Sequence, residues 1–151
     1  MKKLTVIILM SISIIVPVLA RQIDPDYTEI QPKVRFAPLH VYLDSGSKSL
    51  AAYQFELKAA AGQIKIVGIE GGQHKAFEEA PYYDPAALAN DRIIIAAFNT
   101  GSELPKGRTR IATIHLQIIG DAEPDYELKL IVAGDADANE IPAKISFEKG
   151  E

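Results

Sequence analysis

The stretch Ala112-Thr113-Ile114-His115-Leu116-Gln117-Ile118 alternates apolar and polar side chains at every position. A period of two is the pattern of a β-strand with one face in a core and the other in water, because successive side chains of a strand point in opposite directions. Outward from this stretch, the same alternation returns in residues 53–58 and 126–130. Three separate strands of this kind predict an antiparallel, all-β domain.

Further patterns complete the predicted fold. Within residues 64–69 the apolar phase slips by one position, which predicts a β-bulge near Val67-Gly68. Residues 93–98 are apolar on both faces, which favours the centre of a sheet. Residues 84–90 begin with Asp-Pro and continue with Ala and Leu, a composition that predicts one or two helical turns inside a long connection.

We therefore predict an antiparallel β-sandwich of jelly-roll type over residues 34–148, with about seven to nine strands and one short helix in a long loop. A closed barrel is the alternative architecture. The apolar phase of the clearest strands defines the expected core. Its inward members are Tyr53, Phe55, Leu57, Ile114, Leu116, Leu128, Leu130 and Val132.

The N-terminal residues have the pattern of an export signal. The chain starts with Met-Lys-Lys, residues 4–18 are almost uninterrupted apolar sequence, and Val-Leu-Ala at 18–20 ends the run with a small residue. This order predicts a signal peptide, residues 1–20, that is removed before Arg21; an uncleaved membrane anchor is the alternative. Residues 21–33, which include two prolines, are expected to be a polar tether. We expect the mature domain to be secreted or to lie in the periplasm or cell envelope, and not in a membrane.

Charge and cysteine content exclude several classes of function. The formal charge of the chain is −4, and removal of Lys2 and Lys3 with the signal peptide would change it to −6. An acidic domain is a poor ligand for nucleic acid or for an anionic membrane, so we expect no nucleic-acid partner. The chain has no cysteine, which excludes disulfides, cysteine catalysis and thiolate metal ligands.

No motif predicts catalysis. Residues 45–48 match the S-x-x-K pattern of penicillin-recognising enzymes, but they are expected in a polar turn and not at the start of a helix. Residues 135–139 imitate the first half of a calcium loop but lack its later glycine and glutamate, so a looser calcium site and an acidic surface turn both remain open. His40, His74 and His115 lack metal-ligand spacing. We predict no catalytic residue, no metal site and no cofactor.

The long connection that contains the helical turn holds Tyr82 and Tyr83 beside the carboxylates Glu78, Glu79 and Asp84. Tyrosine rings next to carboxylates suit a sugar or a protein partner, and paired carboxylates also occur in glycosidases. The structural alternative is that the two rings anchor the loop to the edge of the sandwich. A carbohydrate-binding module is therefore the second functional hypothesis, and a small glycan hydrolase is the third.

A protein-docking face is predicted on the strands that contain Ile114 and Leu130, because their outward phase is not wholly polar. The face comprises Ile111, Thr113, His115, Lys129 and Ile131, and Tyr82 and Tyr83 are further partner-binding candidates. A small apolar patch with a polar rim is the composition of a modest protein interface.

Four segments show a family resemblance: Val41-Tyr42-Leu43-Asp44, residues 52–57, the turn and alternating strand 107–118, and the acidic turn 133–141. Their order resembles the cohesin domains of bacterial cell-surface scaffolds and the β-sandwich superfamily that cohesins share with some carbohydrate-binding modules. The resemblance implies a β-sandwich with a protein partner, as cohesins bind dockerin domains. The first functional hypothesis is therefore an exported, non-catalytic module that recognises another exported or cell-surface protein.

Overall fold

The computed structural model describes residues 31–150, in which two four-stranded antiparallel β-sheets account for nearly all regular structure. The strands are β1 (Val34–Asp44), β2 (Ala52–Ala61), β3 (Gln63–Gly71), β4 (Tyr82–Tyr83), β5 (Arg92–Phe98), β6 (Arg108–Ile119), β7 (Asp125–Gly134) and β8 (Lys144–Lys149), and short 3₁₀ turns lie at Lys75–Phe77 and Pro85–Ala87. Sheet A has the strand order β3-β6-β1-β8, and sheet B has the order β4-β5-β2-β7.

The predicted signal peptide and residues 21–30 of the predicted tether lie outside the described residues. In residues 31–150, no helix has the length and apolar character that a membrane span requires. The predicted helical turn is a single 3₁₀ turn, with Pro85 at its start and the Asp84 carboxylate accepting the Ala86 N–H at 2.9 Å.

The two sheets enclose one apolar core. Side chains from both inner faces contribute to it, including Leu39 and Ile114 from sheet A and Phe55 and Leu57 from sheet B. Among the described strands, the edge strands of sheet A, β3 and β8, do not pair with the edge strands of sheet B, β4 and β7, so the sheets form a β-sandwich and not a closed barrel. The predicted all-β sandwich class is confirmed.

Most of the predicted core is confirmed. Its buried members are Tyr53, Phe55, Leu57, Ile114 and Leu116, while Leu128 and Leu130 are half-buried against the same core. The predicted inward position of Val132 is wrong, because the register between β2 and β7 shifts between Gln54 and Phe55. Ile131 has no partner at this shift, so Ile131 and Val132 are both exposed and Ala133 is buried instead.

Two further register shifts bend sheet A. One lies between Ile66 and Gly68 and confirms the predicted bulge in β3. The other lies between Val41 and Tyr42 of β1 and leaves Ile111 of β6 without a partner. Ile111 is fully buried, so its predicted outward position is wrong. A bulge adds one residue to one strand, and the inside-outside alternation changes phase at that point.

The chain crosses from one sheet to the other at almost every connection. Sheet A contains β1, β3, β6 and β8, whereas sheet B contains β2, β4, β5 and β7. The two strands that the predicted docking face joined, β6 and β7, therefore belong to different sheets. Gly120, with a φ of +93°, begins the short crossing between them. The prediction that these two strands share one outer face is wrong.

Candidate functional site

The predicted docking residues lie in three separate places. Thr113 and His115 belong to sheet A, Lys129 and Ile131 lie on the outer face of sheet B, and Ile111 lies in the core. Thr113 is buried, and its hydroxyl lies 3.1 Å from Nδ1 of His40. The Glu70 carboxylate lies 3.1 Å from Nε2 of His115, without the alignment of a hydrogen bond. The sheet A members therefore face neighbours within the domain.

Tyr82 and Tyr83 form the short edge strand β4 and point in opposite directions, as adjacent residues of a strand do. Tyr83 is half-buried and packs against the core, whereas 67% of Tyr82 is exposed. Tyr83 therefore anchors the loop, which was the structural alternative, and Tyr82 faces solvent on the outer side of sheet B.

Exposed apolar residues lie on the outer face of sheet B on both sides of β2, whose outward residues there are Ala52, Gln54 and Glu56. Tyr82 stacks on Phe98 of β5, with the ring centroids 5.8 Å apart and the ring planes inclined by 10°. Phe98 is 64% exposed, and Ile94, Ile131 and Val132 are also exposed on this face. We call these five residues the sheet B strip. Large apolar residues that are exposed together, outside a finished core, are typical of interaction sites.

The sheet B strip borders a depression of about 550 Å³. Its floor combines small residues of three neighbouring strands, Ala96 of β5, Ala52 of β2 and Gly134 of β7, with the longer Gln54 of β2. Phe98 forms one wall, and the turn 135–140 that follows β7 forms the opposite wall. A row of small side chains between taller walls leaves space for an apolar side chain from another molecule.

Asn99 holds the Phe98 wall in place although the Phe98 ring is exposed. The Asn99 backbone N–H donates to the Ala51 carbonyl at 2.8 Å, and its side-chain amide donates to the Ala76 carbonyl at 3.0 Å. The Asn99 side-chain oxygen accepts the Gly101 N–H at 2.7 Å. A wall that is already ordered loses little conformational freedom when a ligand binds.

No family model, curated protein or solved structure matches this chain. What this face can bind therefore follows from its own side chains.

In residues 31–150, no group of three or more histidine, aspartate or glutamate side chains gathers as a metal site. The Ser45 hydroxyl, in the S-x-x-K match, donates to the Lys48 carbonyl at 2.8 Å within a turn. That hydrogen bond closes the turn, which is a structural role for Ser45.

The turn 135–140 is closed by its own hydrogen bonds. The Asp135 carboxylate accepts the backbone N–H of Asn139 at 2.9 Å and that of Asp137 at 3.0 Å. These bonds, foremost the one from Asn139, hold the pKa of Asp135 below its ordinary value, because they stabilise the charged carboxylate. Glu140 is exposed and lines the depression beside Asp135. The turn therefore places negative charge along one wall of the depression.

A smaller cleft of about 210 Å³ lies beside Phe98. Residues 75–82 form much of its lining, and Glu78 and Glu79 are exposed there. Phe98 and Asn99 line both the cleft and the larger depression. The depression and the cleft are neighbouring cavities that share the wall formed by Phe98 and Asn99, and we call the pair the groove.

Gly72, which directly follows β3, packs closely against β6 at the start of the loop that leads to Tyr82. The Gly72 N–H donates to the Phe77 carbonyl at 2.6 Å. A Cβ atom on Gly72 would lie 2.2 Å from the Arg110 carbonyl oxygen, a distance that no side chain can occupy. The close approach of backbone to backbone thus requires glycine here.

We expect Gly72→Ala to lower the free energy of unfolding by about 2 kcal/mol or more, because the loop must move away from β6. Gly68→Ala is the matched control on β3, since its Cβ would meet nothing closer than His115 at 3.8 Å. Thermal unfolding followed by far-UV circular dichroism compares the two variants. Equal unfolding midpoints would show that the 72–81 loop accommodates the added Cβ atom without loss of stability.

The sequence patterns did not reveal Phe98, Ala52 or Gly134 as parts of a site. The available signal was the run 93–98, which is apolar on both faces. The run does form an interior strand, between β4 and β2, but its outer face is open to solvent. Alternation patterns do not distinguish a second buried face from an exposed apolar one.

Proposed function

We propose that this domain is an exported, non-catalytic binding module that recognises another exported or cell-surface protein through the sheet B strip. The observation that supports this most directly is the exposure of the strip, since five large apolar residues stay in solvent although the core is complete without them. Covering apolar surface stabilises a complex by about 25 cal/mol per Å² before the cost of association. An apolar centre with a polar rim is the composition of a protein interface.

The sequence supports the cellular setting of this function. The N-terminal pattern is typical of an export signal, so the partner is expected among exported or surface proteins. The acidic net charge disfavours nucleic acid, whose phosphates would be repelled. The cohesin-like order of segments agrees with a protein-binding sandwich.

Two exposed phenylalanines on opposite sheets provide a direct test. Phe98 is 64% exposed on sheet B, and Phe36 is 70% exposed on β1 of sheet A. We expect Phe98→Ser to reduce capture of the partner from the culture fluid or envelope fraction by at least tenfold, since aromatic anchors dominate interfaces. Phe36→Ser removes a side chain of the same size and similar exposure and should leave capture unchanged.

The outcomes separate this proposal from other uses of the face. Equal capture by both variants, or loss only with Phe36→Ser, would contradict the sheet B strip as the docking face. The mass in solution, measured by light scattering, gives an independent check. A dimer that Phe98→Ser converts to a monomer would show that a second copy covers the strip.

A carbohydrate-binding module is the second candidate, and one observation favours it. The stacked rings of Tyr82 and Phe98 stand beside the cleft that contains Glu78 and Glu79, and an aromatic platform beside polar groups suits a sugar ring. A glycan array tests it: a specific signal that disappears in the Tyr82→Ala variant would favour sugar over protein. An array without signal would remove this candidate.

A further inference from the structure

The groove on sheet B is acidic at both ends. Asp135 and Glu140 line the larger depression, and Glu78 and Glu79 line the cleft beyond Phe98. Lys75 is the one basic residue among the described residues that line either cavity, compared with these four carboxylates. The lining side chains therefore carry a formal excess of three negative charges, while Lys48, outside the lining, acts on the Asp135 carboxylate.

The middle of the groove is mostly apolar. The small side chains of Ala52 and Ala96 form its floor with Gln54, beside Phe98 and Val132. Two neighbouring cavities that share the Phe98 wall fit an extended segment better than a bulky globular surface, because one side chain can enter the depression while the next residues pass over Phe98 towards the cleft.

We propose that the partner segment bound here is an extended, cationic peptide stretch with one apolar or aromatic anchor. The anchor seats on the Ala52 floor against Phe98, and lysine or arginine side chains on both sides of it approach the carboxylates at the two ends of the groove. The inference rests on the proposed function, because it names the partner chemistry of the same face. Charge complementarity of this kind selects the partner and speeds its association.

Panning a phage-displayed library of random dodecapeptides on the purified protein tests this chemistry. We expect the enriched peptides to share a central aromatic or large aliphatic residue and a net positive charge. Their binding should weaken as salt is raised from low to physiological concentration, because part of the attraction is between exposed charges.

Two pairs of matched variants locate the binding. Ala52→Phe fills the floor of the depression and should lower the affinity of an enriched peptide about 30-fold or more. Ala60→Phe adds the same ring to an exposed position on the same strand, about 26 Å along it, and should have no effect. Glu140→Lys should lower affinity about three- to tenfold, whereas Glu127→Lys changes the net charge equally at the opposite end of β7 and should not.

Failure of this inference is distinguishable from failure of the proposed function. Enriched peptides that are acidic, that lack an anchor, or that bind equally to Ala52→Phe and Ala60→Phe would overturn the inference, as would a library without enrichment. If capture of an exported protein still depends on Phe98, the proposed function stands and its partner has different chemistry. If capture is independent of Phe98 as well, both proposals are wrong.

Discussion

The Ile111→Glu variant is expected not to fold, whereas Ile131→Glu is expected to be nearly as stable as the unmodified chain. Ile111 is fully buried in the sandwich core, while Ile131 is 42% exposed on the outer face of sheet B. A carboxylate at Ile111 would lose its hydration without gaining a partner, which costs several kcal/mol. That cost is comparable with the whole stability of a small domain, about 5–15 kcal/mol. Far-UV circular dichroism and urea unfolding of both variants measure the contrast.

The same pair of variants tests the register of two bulges. A folded Ile111→Glu variant would contradict the shift between β1 and β6 that turns this side chain inward. An unfolded Ile131→Glu variant would place Ile131 in the core and remove it from the sheet B strip. If Ile131→Glu folds, we also expect weaker capture of the partner, because a charge then lies within an apolar contact surface.

The second large effect is expected from Leu116→Ala, which should cost about 3–5 kcal/mol of unfolding free energy. Leu116 is buried on β6, which lies between β1 and β3, and its cross-strand partners are Ala37 and Ile66. Substitution would therefore leave a cavity that neighbouring strands on both sides cannot readily fill. Leu130→Ala, at a half-buried position of the edge strand β7, should cost about 2 kcal/mol or less.

Urea unfolding at constant slope is the measurement for this comparison, since an unchanged slope shows that both variants expose the same surface on unfolding. The chain has no tryptophan, so far-UV circular dichroism is the suitable signal. Equal costs for the two leucines would mean that the sandwich packs as tightly at the β7 edge as at the centre of sheet A. A midpoint that does not move with Leu116→Ala would remove β6 from the core.

The structural features on which these expectations depend differ in how well the sequence predicts them. The alternation around Ile114 and Leu116 predicted a strand and its inward face, because a period of two is a local property of the chain. The bulge at Val67 was predictable for the same reason, since an apolar slip is visible in the residues themselves. The bulges beside Ile111 and Ile131 left no such slip, because apolar side chains stand at those positions in either phase.

The candidate site was less predictable than the fold. Tyr82 was identified from its chemistry, and Ile131 from its outward phase, and both lie on the outer face of sheet B. Phe98 was not identified, since an apolar run such as 93–98 predicts burial as readily as exposure. The floor residue Ala52 was not identified either, because a small side chain signals a groove only when its neighbours in space are known.

The sequence by itself determined the all-β class, most strand positions and the larger part of the core, because alternation, turn residues and apolar phase are properties of short segments. Only the tertiary structure decided which strands share a sheet. Consecutive strands often pair side by side, but here the chain crosses the sandwich between β6 and β7 and separates residues close in sequence. The same crossings bring β4, β5, β2 and β7 together. The sheet B strip combines residues that are far apart in the sequence, so no local sequence pattern predicts it.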